Sequence, residues 1–213
     1  MPVDSFEVTY DFRLSTSHSP EGSMMESARQ EDVVQNTLRE AWDLFANDFV
    51  LWIIAGLLAL LLTVFSFGIL SGPMTIGFIL LVEKRRQGEA GSAVDVFDGF
   101  SYFGTSFGAF LLIVAGVAIG SFLFVLPGLL FGLAMAFSFH AIAIDDESAT
   151  GAMAKSFNLI WDNLALSTIF LVIVLVLSGM GGAVIFGTLL TMPFTLILTT
   201  LAYHRLSGIS AEN

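Results

Sequence analysis

Cysteine is absent from the 213 residues, which excludes a disulfide framework, a thiolate metal site and a thiol nucleophile, and leaves the redox compartment unmarked. Basic side chains are few, eight Lys and Arg against 19 Asp and Glu for a net charge of −11, so there is no basic surface on which nucleic acid could sit. Chemistry-bearing patterns are missing too: no phosphate loop, no nucleophile elbow and no paired carboxylates within an apolar run. His18, His140 and His204 do not have metal-ligand spacing, so neither a metal nor a cofactor is expected. The first residues lack the basic flank and apolar core of a cleaved signal peptide, so insertion into a membrane would start from the first apolar run.

Charge of either sign is also missing from three long stretches, Phe49 to Val82, Gly99 to Ile144 and Asn163 to His204. With 55% hydrophobic residues, 13% charged and a mean hydropathy of +0.84, the chain is more apolar than a water-soluble domain of this length can bury. One crossing takes about 20 apolar residues, so each stretch holds two crossings and a tight turn. The expected fold is therefore all-α, a polytopic membrane helical bundle of six transmembrane helices. The short turns, Gly68 to Pro73, Val125 to Gly128 and Gly179 to Gly182, carry no charge, whereas the charged residues all fall before Phe49, in Glu83 to Asp98, in Asp145 to Asp162 or after Tyr203. Six crossings put all of them on one side. Lys and Arg near span ends mark the inside, which places both termini and the two long loops in the cytoplasm of a multi-pass cell-membrane protein. Lys84, Arg85, Arg86 and Arg205 are then expected as interface anchors against an anionic leaflet.

An internal repeat accompanies this layout. "WDLF" from Trp42, "FDGF" from Phe97 and "WDNL" from Trp161 each place an aromatic before Asp, and Pro73, Pro127 and Pro193 follow 31, 30 and 32 residues later. Val34, Leu38, Ala41, Trp42 and Phe45 return at equal spacing as Met153, Phe157, Ile160, Trp161 and Leu164. The first set falls on one helical face, giving an amphipathic helix in the membrane interface with Trp42, Phe97 or Trp161 at the headgroup boundary. Three units, about 33–87, 93–147 and 152–207, each comprise an interfacial helix and a helical hairpin. They form a membrane domain over 31–207, between an acidic, flexible tail at 1–30 and a short tail at 208–213. A continuous helix running from each interfacial segment into the next span is the other form this pattern allows. Ser92 with Asp95 resembles a helix-start box for the second unit.

Proline removes a backbone bond and crowds the preceding turn. Pro73 and Pro193 are expected as kinks inside spans, the first beginning near Gly68, and Pro127 as a helix start. Glycine pairs four apart, 68/72, 104/108, 116/120 and 128/132, with Ala183/Gly187, suit close helix packing within the bundle; contact in a homo-oligomer is the other use of such pairs. His140 is the one ionisable side chain placed to lie within a span, a candidate intramembrane polar site. Its position 13 residues after Pro127 puts it near the interface, as a neutral imidazole hydrogen-bonded inside the bundle. Asp145, Asp146 and Glu147 read as a hydrated loop; attraction of divalent cations or a basic partner, or a proton relay or cation site with His140, is the other use of this run. Residues 6–14, "FEVTYDFRL", alternate like a strand with nothing in the chain to pair with, unless synthesis begins at Met24 or Met25.

The order "LREAWDLFANDFVLWIIAG", "LLVEKRRQGE", "VDVFDGFSYFG", "LPGLLFGLAMAFSFHAIAIDDESATGAMAKSFNLIWDN" and "TMPFTLILTTLAYHRL" resembles a broad group of prokaryotic six-span proteins over roughly residues 31–207. These are similar to the membrane domain that precedes the catalytic domain of some glycerophosphodiester phosphodiesterases. The resemblance implies no activity, since the catalytic barrel has no counterpart here. The expected function is non-enzymatic: a scaffold or lipid-interacting module at the cytoplasmic leaflet, its partners being membrane lipids and a protein held by the tail or loops. A small-molecule or lipid transporter is the alternative.

Overall fold

A computed structural model describes residues 20–182 and 185–212. The strand-like run at 6–14, His18 and Ala183 lie outside the described residues. Every described element is a helix: α1 (Pro20–Asn47), α2 (Phe49–Phe65), α3 (Ser71–Arg86), a 3₁₀ segment (Ala93–Tyr102), α4 (Phe103–Leu123), α5 (Val125–Ala134), α6 (Ser138–Asp145), α7 (Ala149–Asp162), α8 (Leu164–Gly182) and α9 (Ile185–Glu212).

The chain divides into two units, residues up to Asn36 and from Thr37 onward. In the first, the residues from Pro20 belong to α1, so 20–30 are helical. Proline suits the first helical turn because its missing N–H has no partner there in any case. Gln35 Nε2 donates to Glu31 Oε1 at 2.9 Å, one turn back.

The second unit is built around α3. Met74, Ile76, Phe78, Ile79, Leu81 and Val82 are all buried, because neighbours cover this helix on every side. The closest neighbour is the 3₁₀ segment. Three residues per turn align positions 93, 96, 99 and 102 in one row. Val96 and Gly99 of that row are buried against α3, while Phe97 and Phe100, in the adjacent row, stack with centroids 6.1 Å apart. A Cβ on Gly77 would stand 1.7 Å from the Val96 carbonyl oxygen, and one on Gly99 would stand 2.0 Å from that of Pro73. The two backbones therefore touch. Asp95 Oδ2 accepts from the Ser92 N–H at 3.3 Å, completing the expected start box.

Small residues serve the α4–α5 hairpin in the same way. A Cβ on Gly120 would meet Gly128 at 2.8 Å, and one on Gly116 would meet the Phe131 ring at 2.3 Å, so these glycines are used within the chain. Beyond α5 the helix breaks at Met135–Phe137 before α6 resumes. Ser156 of α7 bridges the break: its Oγ accepts from the Phe137 N–H at 3.1 Å and donates to the Ala134 carbonyl at 2.8 Å.

Two sharp joints shape the rest. At Asp48, α1 turns by 89° into α2, and at Asn163, α7 turns by 109° into α8. Each joint exposes a carbonyl at the end of the preceding helix. The Trp52 indole N–H donates to the Leu44 carbonyl at 2.8 Å, and the Asn163 amide donates to the Leu159 carbonyl at 3.2 Å. Both carbonyls lie four residues before the joint. No comparable bend interrupts Ala93–Phe122, so the 3₁₀ segment runs into α4 as one rod. The segments expected to be interfacial thus turn a corner at Asp48 and Asn163 and continue straight at Phe103.

Among the described residues, two helical runs can cross a bilayer by length and composition, Ala93–Phe122 and Pro127–Asp145, or four if each bent pair is one crossing. That is short of the six expected. α3 has 16 residues, reaching about 24 Å against a hydrocarbon core of about 30 Å. Its start at Ser71 also corrects the expectation for Pro73, which lies in the first turn and is not a kink. The chain between α2 and α3 instead turns through Phe67 and Gly68, at φ of 53° and 86°. Pro127 lies in the first turn of α5 and Pro193 inside α9.

Candidate functional site

Four successive side chains at the end of α3 step round the helix by about 100° each, so each faces a different neighbour. Glu83 meets His204 Nε2 of α9 at 2.9 Å. Lys84 binds Asp98 at 2.7 Å and Asp95 at 3.2 Å on the 3₁₀ segment. Arg85 forks onto Asp48 at the first joint, with Nε at 3.0 Å from Oδ2. Arg86 returns to Glu83 at 2.6 Å. Around this hub Arg205 pairs with Glu40 at 2.9 Å, and Tyr203 donates to Asp145, which also holds Lys155 at 3.1 Å. All four charged segments of the sequence are thereby joined by side-chain contacts at one end of the helices. Cations in the last turn of α3 also oppose the negative end of its dipole.

Lys84, Arg85, Arg86 and Arg205, expected to face lipid headgroups, are thus spent on carboxylates of the same chain. Burial alone would raise the Glu83 carboxyl, but hydrogen bonds from Arg86, Gln87 and His204 outweigh it and hold the pKa at about 2. Lys84 is raised, chiefly by its hydrogen bonds to Asp98 and Asp95. Because the Glu83 pKa is lower in the folded chain than its ordinary 4.5, its stabilisation is complete above that value and disappears as pH falls toward 2. The thermal midpoint of the purified protein should therefore drop between pH 5 and 2 by more than that of the Glu83→Gln variant. Parallel curves would remove Glu83 from the ring.

The three boundary aromatics are not placed alike. Trp42 is 60% exposed and Trp161 64%, with Phe97 somewhat less open. Trp42 lies six residues before its joint and Trp161 only two, so the exact spacing that relates the two motifs is not a structural equivalence. Burial agrees: Ala41 and Phe45 are inside in α1, but Phe157 and Trp161 stack on the exterior of α7. The buried row of α7 is instead Ala152, Ser156 and Leu159. Matching the joints at Asp48 and Asn163 brings Thr37 and Ala41 onto Ala152 and Ser156, all four buried. A shift of one helical turn hid this from a reading by aromatic motif.

His140 lies in α6, only 3% exposed, with Phe137 at 5.7 Å and the Tyr203 ring stacked over it at 5.8 Å. The expected hydrogen bond within the bundle is not made: neither ring nitrogen has a partner among the described residues. A buried imidazole needs one acceptor and one donor partner, so this site is incomplete as it stands. Tyr203, Asp48 and Trp52 take part here without having been marked by the sequence, whereas Asp145 and Glu83 had been placed in the charged segments. Among the described residues no group of three His, Cys, Asp or Glu is placed to hold a metal ion.

Residues 24–211 match the family described as a domain of unknown function, DUF7847. The chain belongs to the DUF7847 family. No curated protein and no solved structure matches it. Nothing in these matches links the DUF7847 domain to the glycerophosphodiester phosphodiesterases or to a named six-span family; the family covers α3 with its ionic hub, both joints and His140.

Proposed function

We infer that this DUF7847 protein is a non-enzymatic integral membrane protein of three hairpin units, whose charged end lies at the cytoplasmic leaflet and acts there as a scaffold for lipid and protein. The outward faces support a lipid surround. Val50, Ile54, Leu57, Leu61 and Val64 form an exposed apolar row along α2, opposite a buried face of Trp52, Ala55, Gly56 and Ala59. A helix apolar all round is covered on its outer side by other protein or by lipid. Ile169, Val172, Leu175 and Val176 give α8 a similar exterior.

The observation that carries the reading is the exposure of Trp42, Phe97 and Trp161, each followed by an exposed Asp, on segments that lead into apolar helices. An amphipathic ring beside a hydrated carboxylate suits the headgroup boundary. Because the basic groups of the hub are already paired, lipid selection would fall to these rings and to the apolar exterior, with little preference for anionic headgroups.

Bromine-labelled lipids test the placement. Emission from Trp42 and Trp161, isolated by comparing Trp42→Phe and Trp161→Phe with the parent protein in vesicles, should be quenched best by bromines close to the headgroup. The residual emission from buried Trp52 should be quenched least. Quenching of Trp42 and Trp161 only by bromines at the bilayer centre would reject the interfacial assignment. Co-purification in native nanodiscs with mass spectrometry then identifies the lipids and proteins held; a preparation carrying no reproducible companion would argue against a scaffold.

A further inference from the structure

The last helix carries hydroxyls at every fourth position: Thr191, Thr195, Thr199, Tyr203 and Ser207. Positions four apart follow one ridge of an α-helix and rise about 6 Å per step, a gap that one water bridges with two hydrogen bonds of about 2.8 Å. The ridge spans about 24 Å. Some of its hydroxyls are satisfied within the helix, Thr191 by the Gly187 carbonyl at 3.0 Å and Thr199 by that of Thr195 at 3.0 Å. Thr195 Oγ1 is not: it is buried and without a partner.

His140 is the independent observation. Its ring stacks on Tyr203, the ridge member bonded to Asp145, and both its nitrogens are buried and unpartnered. Buried polar groups are nearly always hydrogen-bonded to protein or ordered water, so bare nitrogens at this spot call for water or a proton. Tyr203 in turn donates to Asp145, which is held by Lys155 at 3.1 Å and opens the ridge to the charged end. Other titratable groups nearby are His204, edge-on to Tyr203, its partner Glu83, and Glu147. A metal ion would need several anionic or imidazole ligands, and the ridge offers hydroxyls and a single imidazole, groups that both donate and accept protons.

We propose that the Thr191–Ser207 ridge of α9, with His140 as its buried station, is a proton-conducting path. A proton arrives from water at the unprotonated ring nitrogen of His140 while the other nitrogen gives up its own, so the imidazole ends neutral and no co-reactant is consumed. Asp145 and Lys155 supply the entry at the charged end, and waters between Thr199, Thr195 and Thr191 carry the proton onward. This goes beyond the scaffold reading and does not depend on it.

The full chain is reconstituted into vesicles loaded with a pH-sensitive dye, and proton movement is driven by a valinomycin-set potassium potential. Protein-containing vesicles should change internal pH faster than protein-free ones, with an added uncoupler showing that the vesicles are sealed. His140→Phe keeps the aromatic stack while removing both nitrogens, and should return the flux to the protein-free rate with no loss of thermal stability. Thr195→Val, matched in shape, should slow it and serves alone if His140→Phe does not fold. Wild-type vesicles no faster than protein-free vesicles, or a folded His140→Phe or Thr195→Val protein conducting at the wild-type rate, would overturn the proposal.

Discussion

Replacing Gly99 by alanine should prevent the domain from folding. The added Cβ would lie 2.0 Å from the Pro73 oxygen and 2.4 Å from the Gly77 nitrogen, both backbone atoms that no rotamer change can move. Ordinary contact needs about 3.5 Å or more, so the 3₁₀ segment would have to lift off α3 by more than 1 Å along a buried row. Overpacking of flexible side chains costs about 1–3 kcal/mol; with backbone on both sides the cost should exceed about 4 kcal/mol, in the range where single substitutions unfold a protein. Gly77→Ala, facing the Val96 oxygen at 1.7 Å, should behave alike. Gly104→Ala and Gly179→Ala are the controls, since a Cβ there meets nothing within 4 Å. Monodisperse yield and thermal midpoint in detergent check the series. A Gly99→Ala protein melting with the wild type would show that α3 and the 3₁₀ segment do not touch through their backbones.

The second large effect is expected at the first joint. Asp48 receives two bonds from the Arg85 guanidinium, and both side chains are about three-quarters covered. Charge-assisted bonds of this kind contribute about 1.5–3 kcal/mol, and truncating one partner leaves the other charge partly buried. Arg85→Ala or Asp48→Ala should each cost about 2 kcal/mol, with the double variant little worse than either single one. Arg85→Lys should recover only part of the loss, because an ammonium cannot fork onto one carboxylate. Costs that simply add in the double variant would mean that the pair is not an interaction that stabilises the joint.

How much of this was legible depended on the kind of signal. Charge-free runs announce apolar helices wherever they occur, but the confinement of ions to four segments did not say which would meet, as the N-terminal, Glu83 to Asp98 and C-terminal ones do through Asp48–Arg85, Glu40–Arg205 and Glu83–His204. The start box at Ser92 and the use of Gly116, Gly120 and Gly128 within the chain were legible because they rest on local spacing. The partners of Lys84, Arg85 and Arg86 were not, because a run of like charges on a helix end gives no direction until neighbours surround it. Pro73 was misplaced for a similar reason: the same residue serves as a kink or a first-turn proline according to where the preceding turn ends, and Phe67 and Gly68 set that. Trp161 shares the dipeptide of Trp42 but not its place, since the joint falls four residues nearer.

What the order of residues determined by itself is the all-helical character, the segregation of charge and the apolar exterior, all consequences of which side chains tolerate removal from water. Only the tertiary structure decided which carboxylate each cation holds, where the helices break at Asp48, Asn163 and Met135–Phe137, and that His140 is left with two bare nitrogens against Tyr203. The physical reason is range: burial tendency belongs to each residue and adds along a chain, whereas an ion pair or an unfilled hydrogen bond exists only between groups that folding has brought within about 3 Å of each other.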